Sequence, residues 1–142
     1  MHLLDSNALI AAFDETHEDH QRARKFIESI NLFFTTPQTQ GAFLRFFSRP
    51  WTDSQGTRQS PRLTAREALE HLKTIVALPE HRFLADEIPF TKISMKSLSG
   101  FKQWNDAYLI AQAKKQSFKL CTFERKLDNM DEASSPVLLL IP

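Results

Sequence analysis

The chain has 142 residues, 42% hydrophobic and 25% charged, with twelve Phe and only three Gly, so it is the size of one domain with a real aromatic core and not a disordered chain. The formal net charge is +1; a polycationic nucleic-acid binder is excluded, and any nucleic-acid role must come from a local site. A single cysteine, Cys121, rules out an intrachain disulfide framework and a cysteine-based zinc site.

Met1-His2-Leu3-Leu4-Asp5 reaches an acid before any long apolar run. It reads as neither a signal peptide nor a membrane anchor, and the expected location is cytoplasmic. Leu3-Leu4 opens a short strand that stops at Asp5-Ser6-Asn7, and Ala8 to Phe13 reads as a buried helix. The next helix is expected from Glu18 to Ile30, with Ala23, Phe26, Ile27 and Ile30 on one apolar face. Leu32 to Thr35 is a compact apolar strand. After the Thr36-Pro37 break, Thr39 is a candidate start for a helix that carries Phe43, Leu44, Phe46 and Phe47 and ends near Arg49-Pro50.

Trp51 to Arg62 is polar and reads as a surface loop. Thr64-Ala65-Arg66-Glu67 has the capping-box pattern. The helix it opens places Ala65, Leu69, Leu72 and Val76 on one face and stops before Pro79. Arg82 to Ala85 is a third strand, and Ile88 to Ser99 is indistinct, with room for a short helix. A helix from Asp106 to Lys115 is expected to bury Ala107, Ile110 and Ala111. Lys119 to Thr122 is a fourth strand, Glu124 opens a short helix, and Val137 to Ile141 is a final apolar strand. Helices alternating with continuously apolar strands predict an α/β fold over residues 1–142: one domain with a central parallel sheet of about five strands flanked by helices.

In such sheets, ligands bind beyond the carboxyl ends of the strands. Asp5 ends the first strand, Glu124 follows the fourth, and Asp106 starts the helix leading into the fourth. All three can reach the same edge. Converging carboxylates repel one another, and a divalent cation relieves that repulsion. Such an ion supports water attack on a phosphodiester. The plain alternative is that Asp5 and Asp106 are helix caps and Glu124 a first-turn acid favoured by the helix dipole. Spacing alone leaves both readings open.

Three segments in order carry a resemblance. Leu3-Leu4-Asp5-Ser6-Asn7-Ala8-Leu9-Ile10, Gly100-Phe101-Lys102-Gln103-Trp104-Asn105-Asp106-Ala107-Tyr108-Leu109 and Leu120-Cys121-Thr122-Phe123-Glu124-Arg125-Lys126-Leu127 together resemble the PIN-domain ribonucleases, specifically the VapC-type toxins of toxin–antitoxin pairs. The resemblance implies a PIN-like fold and an endoribonuclease dependent on Mg2+, or alternatively Mn2+. It implies Asp5 and Asp106 as metal ligands, Glu124 as a supporting acid and Asn7 as a residue orienting Asp5. It further implies a cognate antitoxin protein, an RNA substrate and a homodimer. The chain departs from the family at Gln40, where many members carry Glu, and at Asn105, where Thr or Ser is usual. Glu124 stands where Asp is commoner. Gln40 keeps a second reading in view, a catalytically weak or inactive PIN-like module that binds protein or RNA.

Arg45 and Arg125 sit in motif segments and are candidate RNA or antitoxin contacts, whereas Arg49, Arg58, Arg62, Lys114, Lys115 and Lys126 read as solvated charges. His17 and His20 share a helix face but lack a third zinc ligand nearby, so a solvated helix start is the better reading. Asp128, one helical turn after Glu124, reads as a surface residue. Trp51 and Trp104 could stack on bases, but packing is the commoner fate of Trp. A phosphotransfer role for Asp5 is disfavoured, because haloacid-type phosphatases need a second Asp two residues on, and Asn7 stands there.

Overall fold

The structure is a computed structural model and describes residues 1–93, 100–130 and 138–142, apart from the side chains of Asp128 and Asn129. The readings of Asp128 as a surface residue, of Ser99 as the end of an indistinct stretch and of Val137 as the start of a strand therefore lie outside the described residues.

Five strands form one parallel sheet: β1 (His2–Leu4), β2 (Phe33–Thr35), β5 (His81–Phe83), β6 (Lys119–Thr122) and β7 (Leu138–Leu140). Their order is β5-β2-β1-β6-β7. Successive side chains on a strand leave opposite faces, and the core divides accordingly. Leu4, Phe33, Cys121 and Leu139 belong to one apolar cluster, and Leu3, Phe34, Leu120 and Leu138 to another. The register agrees: Leu3 pairs with Leu120, and Leu120 with Leu138.

Helices α1 (Ser6–Phe13), α2 (His20–Ser29), α3 (Pro37–Ser48) and α4 (Ala65–Val76) supply the first cluster, and α5 (Trp104–Gln116) supplies the second through Leu109, Ile110 and Ala113. The sheet is thus covered on both faces, which is why its central strands carry apolar residues toward both, as Leu3-Leu4 and Leu120-Cys121 do. No described helix is long and apolar enough to cross a membrane.

Several local expectations change. Helix α3 begins at Pro37, because Thr36 is its cap and Thr39 its partner in a capping box. Pro at the first turn lacks only an N–H that would have no helical partner. Trp51 to Arg62 is not plain loop. Trp51–Thr52 (β3) and Arg58–Gln59 (β4) form an antiparallel ribbon, whose turn is held by Asp53 Oδ1 accepting from the Gln55 and Thr57 N–H groups. The Thr64–Glu67 capping box forms as expected. Helix α4, however, buries Ala68, Leu72 and Ile75, leaving Leu69 43% and Val76 36% exposed. Its apolar stripe is wide enough for two faces, and contact with α3 decides between them.

Helix α5 starts at Trp104 and also buries Tyr108, Leu109, Gln112 and Ala113, while Ala111 is half-buried. The segment after Glu124 is a 3-10 helix, Arg125–Met130, and a short 3-10 turn, Phe90–Lys92, lies in the stretch that was indistinct.

Candidate active site at the carboxyl edge of the sheet

Asp5 is the first residue past β1 and the N-cap of α1, with an extended backbone (φ −73°, ψ 172°) and one carboxylate oxygen accepting from the Ala8 N–H at 2.7 Å. Its own N–H donates to the Cys121 carbonyl at 3.0 Å, which extends the β1–β6 pairing and sets Asp5 beside Thr122. By the two-residue alternation, Asp5 follows Leu3 and Thr122 follows Leu120. Both side chains therefore leave the sheet on the α5 face. There the Thr122 hydroxyl donates to the second Asp5 carboxylate oxygen.

Asp5 is only 5% exposed. Burial pushes its carboxyl up to about 6. Hydrogen bonds from Thr122, Ala8 and the Asn7 N–H oppose that rise, and the charge of Asp106 adds to it. Asn7 acts here through its backbone, and its side chain is exposed. Asp106, half-buried in the first turn of α5, is also raised, first by desolvation and then by the charge of Glu124. Each acid thus feels the field of the next, and the structure brings Asp5, Asp106 and Glu124 to one edge. Glu124 is placed by its own backbone: its N–H donates to Thr122 Oγ1 at 2.9 Å, and its carboxylate accepts from the Lys126 N–H at 3.1 Å.

Gln40 lies in the early part of α3 and donates from Nε2 to Thr35 Oγ1 at 2.9 Å. The Thr35 hydroxyl, fully buried at the end of β2, lies 2.7 Å from His81 Nε2. Gln40 thus packs into the same edge through a hydroxyl and brings no charge. Asn105, Arg45 and Arg125 are exposed. In the sequence Thr122 reads only as a strand-ending residue. The available signal was a hydroxyl at the carboxyl end of an apolar strand, two residues before an acid. Asp86 has no signal in the sequence. Burial raises its carboxyl, and it accepts from Gln112 Nε2 at 2.7 Å, a pairing across 26 residues with no local signature.

The remaining candidates find other roles. His20 Nδ1 lies 2.8 Å from the Ala11 carbonyl, and His17 Nδ1 accepts from the Asp19 N–H at 3.1 Å, so backbone occupies both rings. Trp51 lies under the Arg62 guanidinium, 4.2 Å from its ring centre, on the wall of a cavity of about 800 Å3. That cavity includes Phe13 and Asp14, at the opposite end of α1 from Asp5, and none of the three acids. Trp104 packs edge-on to Phe90, with ring centres 6.2 Å apart.

The fit to a divalent cation rests on the donor set. Among the described residues no three His, Cys, Asp or Glu side chains surround one point. A pair of carboxylates made costly by burial and mutual repulsion nevertheless suits Mg2+, which takes one or two protein carboxylates and keeps several waters. Asp5 and Asp106 are that pair.

These features define a class: a parallel α/β domain with repelling carboxylates at the carboxyl edge of its central strands. The chain belongs to the PIN domain family, whose model matches residues 2–133. It is 30% identical over 126 residues to Ribonuclease VapC38 of Mycobacterium tuberculosis, spanning 87% of this chain and 85% of that one. Among solved structures it is similar to VapC20 of Mycobacterium tuberculosis, described as a Sarcin-Ricin loop cleaving toxin, with a TM-score of 0.62 at 12% identity, covering 96% of this chain and 99% of that one. It is also similar to a toxin–antitoxin complex from Klebsiella pneumoniae, with a TM-score of 0.61 at 17% identity, covering 98% and 96% of the two chains. At these identities the solved structures establish the fold.

Proposed function

We propose that this protein is a metal-dependent endoribonuclease and the toxin of a type II toxin–antitoxin pair. The observation that carries the reading is the run of acids at one edge of the sheet, in which burial raises Asp5 and Asp106 and the charge of each next acid, Asp106 and then Glu124, adds to it. Asp5 and Asp106 would hold Mg2+, with Mn2+ an alternative, and Glu124 would support them. When bound, the ion supplies Lewis acidity toward an attacking water and toward the charge developing on the phosphodiester. The protein's own part is positional. The Ala8 N–H and the Thr122 hydroxyl fix the Asp5 carboxylate, and the Thr122 hydroxyl also fixes the start of the Glu124 turn.

The relatives named as ribonucleases and the toxin–antitoxin complexes of the same fold support an RNA substrate and a protein antitoxin partner. A homodimer in the cytoplasm completes the reading.

The test is cleavage of an RNA pool by purified protein, with Mg2+ or Mn2+ and with EDTA. Cleavage that EDTA, Asp106→Asn and Asp5→Ala each abolish supports the enzyme. A second reading, a weak or inactive binding module, is favoured by one observation: the Gln40 position supplies an amide bonded to Thr35 where an acid would add charge. Metal binding with no cleavage of any RNA would establish that reading instead.

A further inference from the structure

Gly41 lies inside α3, where glycine is a poor helix former. No turn or positive φ requires it there. Its neighbour gives a reason. A Cβ built at Gly41 would stand 3.1 Å from Arg45 Nη1 and 3.8 Å from Arg45 Cζ. The Arg45 side chain therefore folds back one turn toward the start of α3, the direction long helical side chains favour. The tip of its guanidinium stands close enough that a side chain at Gly41 would crowd it.

Among the described residues no acid pairs with that guanidinium. None of the ion pairs among the described residues uses Arg45. From Ser29 to Thr52 the chain contains no Asp or Glu, although it carries Arg45 and Arg49. The direction of the fold-back also matters. Helix α3 starts where β2 ends, β2 pairs with β1, and β1 leads into Asp5. Gln40, the residue before Gly41, is bonded to Thr35 at that edge. The guanidinium is thus drawn toward the end of the molecule that holds the acids. It does not enter the electrostatic surroundings of Asp5 or Asp106, so it stands outside the acid cluster and not within it.

We propose that Arg45, seated over Gly41, binds a backbone phosphate of the RNA that flanks the scissile one. The planar guanidinium fork suits phosphate oxygens, which a strongly hydrated lysine ammonium meets only as a point charge. The assignment rests on the ribonuclease reading and names a substrate contact for it. A contact to phosphate positions the strand without reading its sequence.

The experiment measures binding of a fluorescently labelled single-stranded RNA in EDTA, so that nothing is cut, across a series of salt concentrations. Arg45→Ala should weaken binding several-fold at low salt and reduce the slope of log affinity against log salt by about one. Arg45→Lys should restore the slope with incomplete affinity. Gly41→Ala crowds only the tip of that side chain, which yields by a few tenths of an ångström, so it should weaken RNA binding by less than Arg45→Ala does, while its melting temperature stays the same or rises because alanine favours the helix. A structural role for Gly41 would instead lower the melting temperature.

If Arg45→Ala binds RNA as the unaltered protein does, the assignment is wrong, including the case in which it loses only a co-expressed antitoxin. If the unaltered protein itself neither binds nor cuts RNA, the ribonuclease reading fails as well, and the two failures are thereby distinguished.

Discussion

The Thr122 hydroxyl donates to the Asp5 carboxylate and at the same time accepts the Glu124 N–H at 2.9 Å. One side chain thus joins the acid after β1 to the turn carrying the acid after β6. Thr122→Val keeps the shape and removes both bonds. It leaves a buried carboxylate oxygen and a backbone N–H without partners, a loss of about 1–3 kcal/mol. The Thr122 bond favours the ionised form of Asp5. Its removal should therefore move the low-pH limb of the cleavage profile to higher pH, and Thr122→Ser should restore it. An unshifted profile in a folded, less active Thr122→Val protein would assign Thr122 a packing role alone.

Burying Asp5 opposes folding of the metal-free protein at neutral pH. Its carboxyl stands at about 6 in the fold against 3.8 as the reference value, worth on the order of 3 kcal/mol. The sign follows from proton binding. Below the reference value both states are protonated and the term is absent. As pH rises to about 6 the unfolded chain ionises first, and stability falls. Above that the loss is constant. Asp5→Asn can still accept from the Ala8 N–H, and Asn is a good N-cap. Denaturant titrations in EDTA should show Asp5→Asn more stable than the unaltered protein at pH 7, with the difference gone near pH 4.

A divalent ion should reverse that order. Mg2+ or Mn2+ binding to the folded state raises the melting temperature by mass action, and it should do so for the unaltered protein only. Thermal denaturation of Asp5→Asn and of Asp106→Asn should show little or no response to either ion. An equal response in Asp106→Asn would place the ion elsewhere.

Gln40→Glu adds a charge at the same edge. The Thr35 hydroxyl has one proton, and His81 Nε2 and the new carboxylate then compete for it, because the other ring nitrogen of His81 is bonded to the Val76 backbone. Isothermal titration should show tighter divalent-metal binding than in the unaltered protein. Stability in EDTA should fall, because another carboxylate joins a cluster that already repels itself. Unchanged metal affinity would show that position 40 faces away from the ion.

Much of the site was legible because its parts are local. An acid directly after an apolar strand, an Asp in the first turn of a helix and an acid two residues after a second strand are signals spanning a few residues, and they place Asp5 and Glu124 at strand ends and Asp106 in the first turn of α5, as in the structure. The same locality hid the connections. Asp5 and Thr122 are 117 positions apart, and only the β1–β6 pairing makes them neighbours. Arg45 stands out in the sequence, with Arg125, as a cation in a motif segment, but its seat over Gly41 emerges only with the helix built.

The sequence by itself determined the sheet: continuously apolar strands alternating with helices have few ways to bury both faces except as a parallel sheet between layers. Capping patterns such as Thr64 with Glu67 likewise act within one turn and can be read directly. Tertiary structure decided what has more than one local solution. Helix α4 carries Ala65, Ala68, Leu69, Leu72, Ile75 and Val76, and any of several faces could have been buried. Packing selected Ala68, Leu72 and Ile75. Asp5 alone could have been a solvated helix cap. The sheet, α5 and Thr122 made it a buried carboxylate, because only burial among other acids raises the energy of its charge.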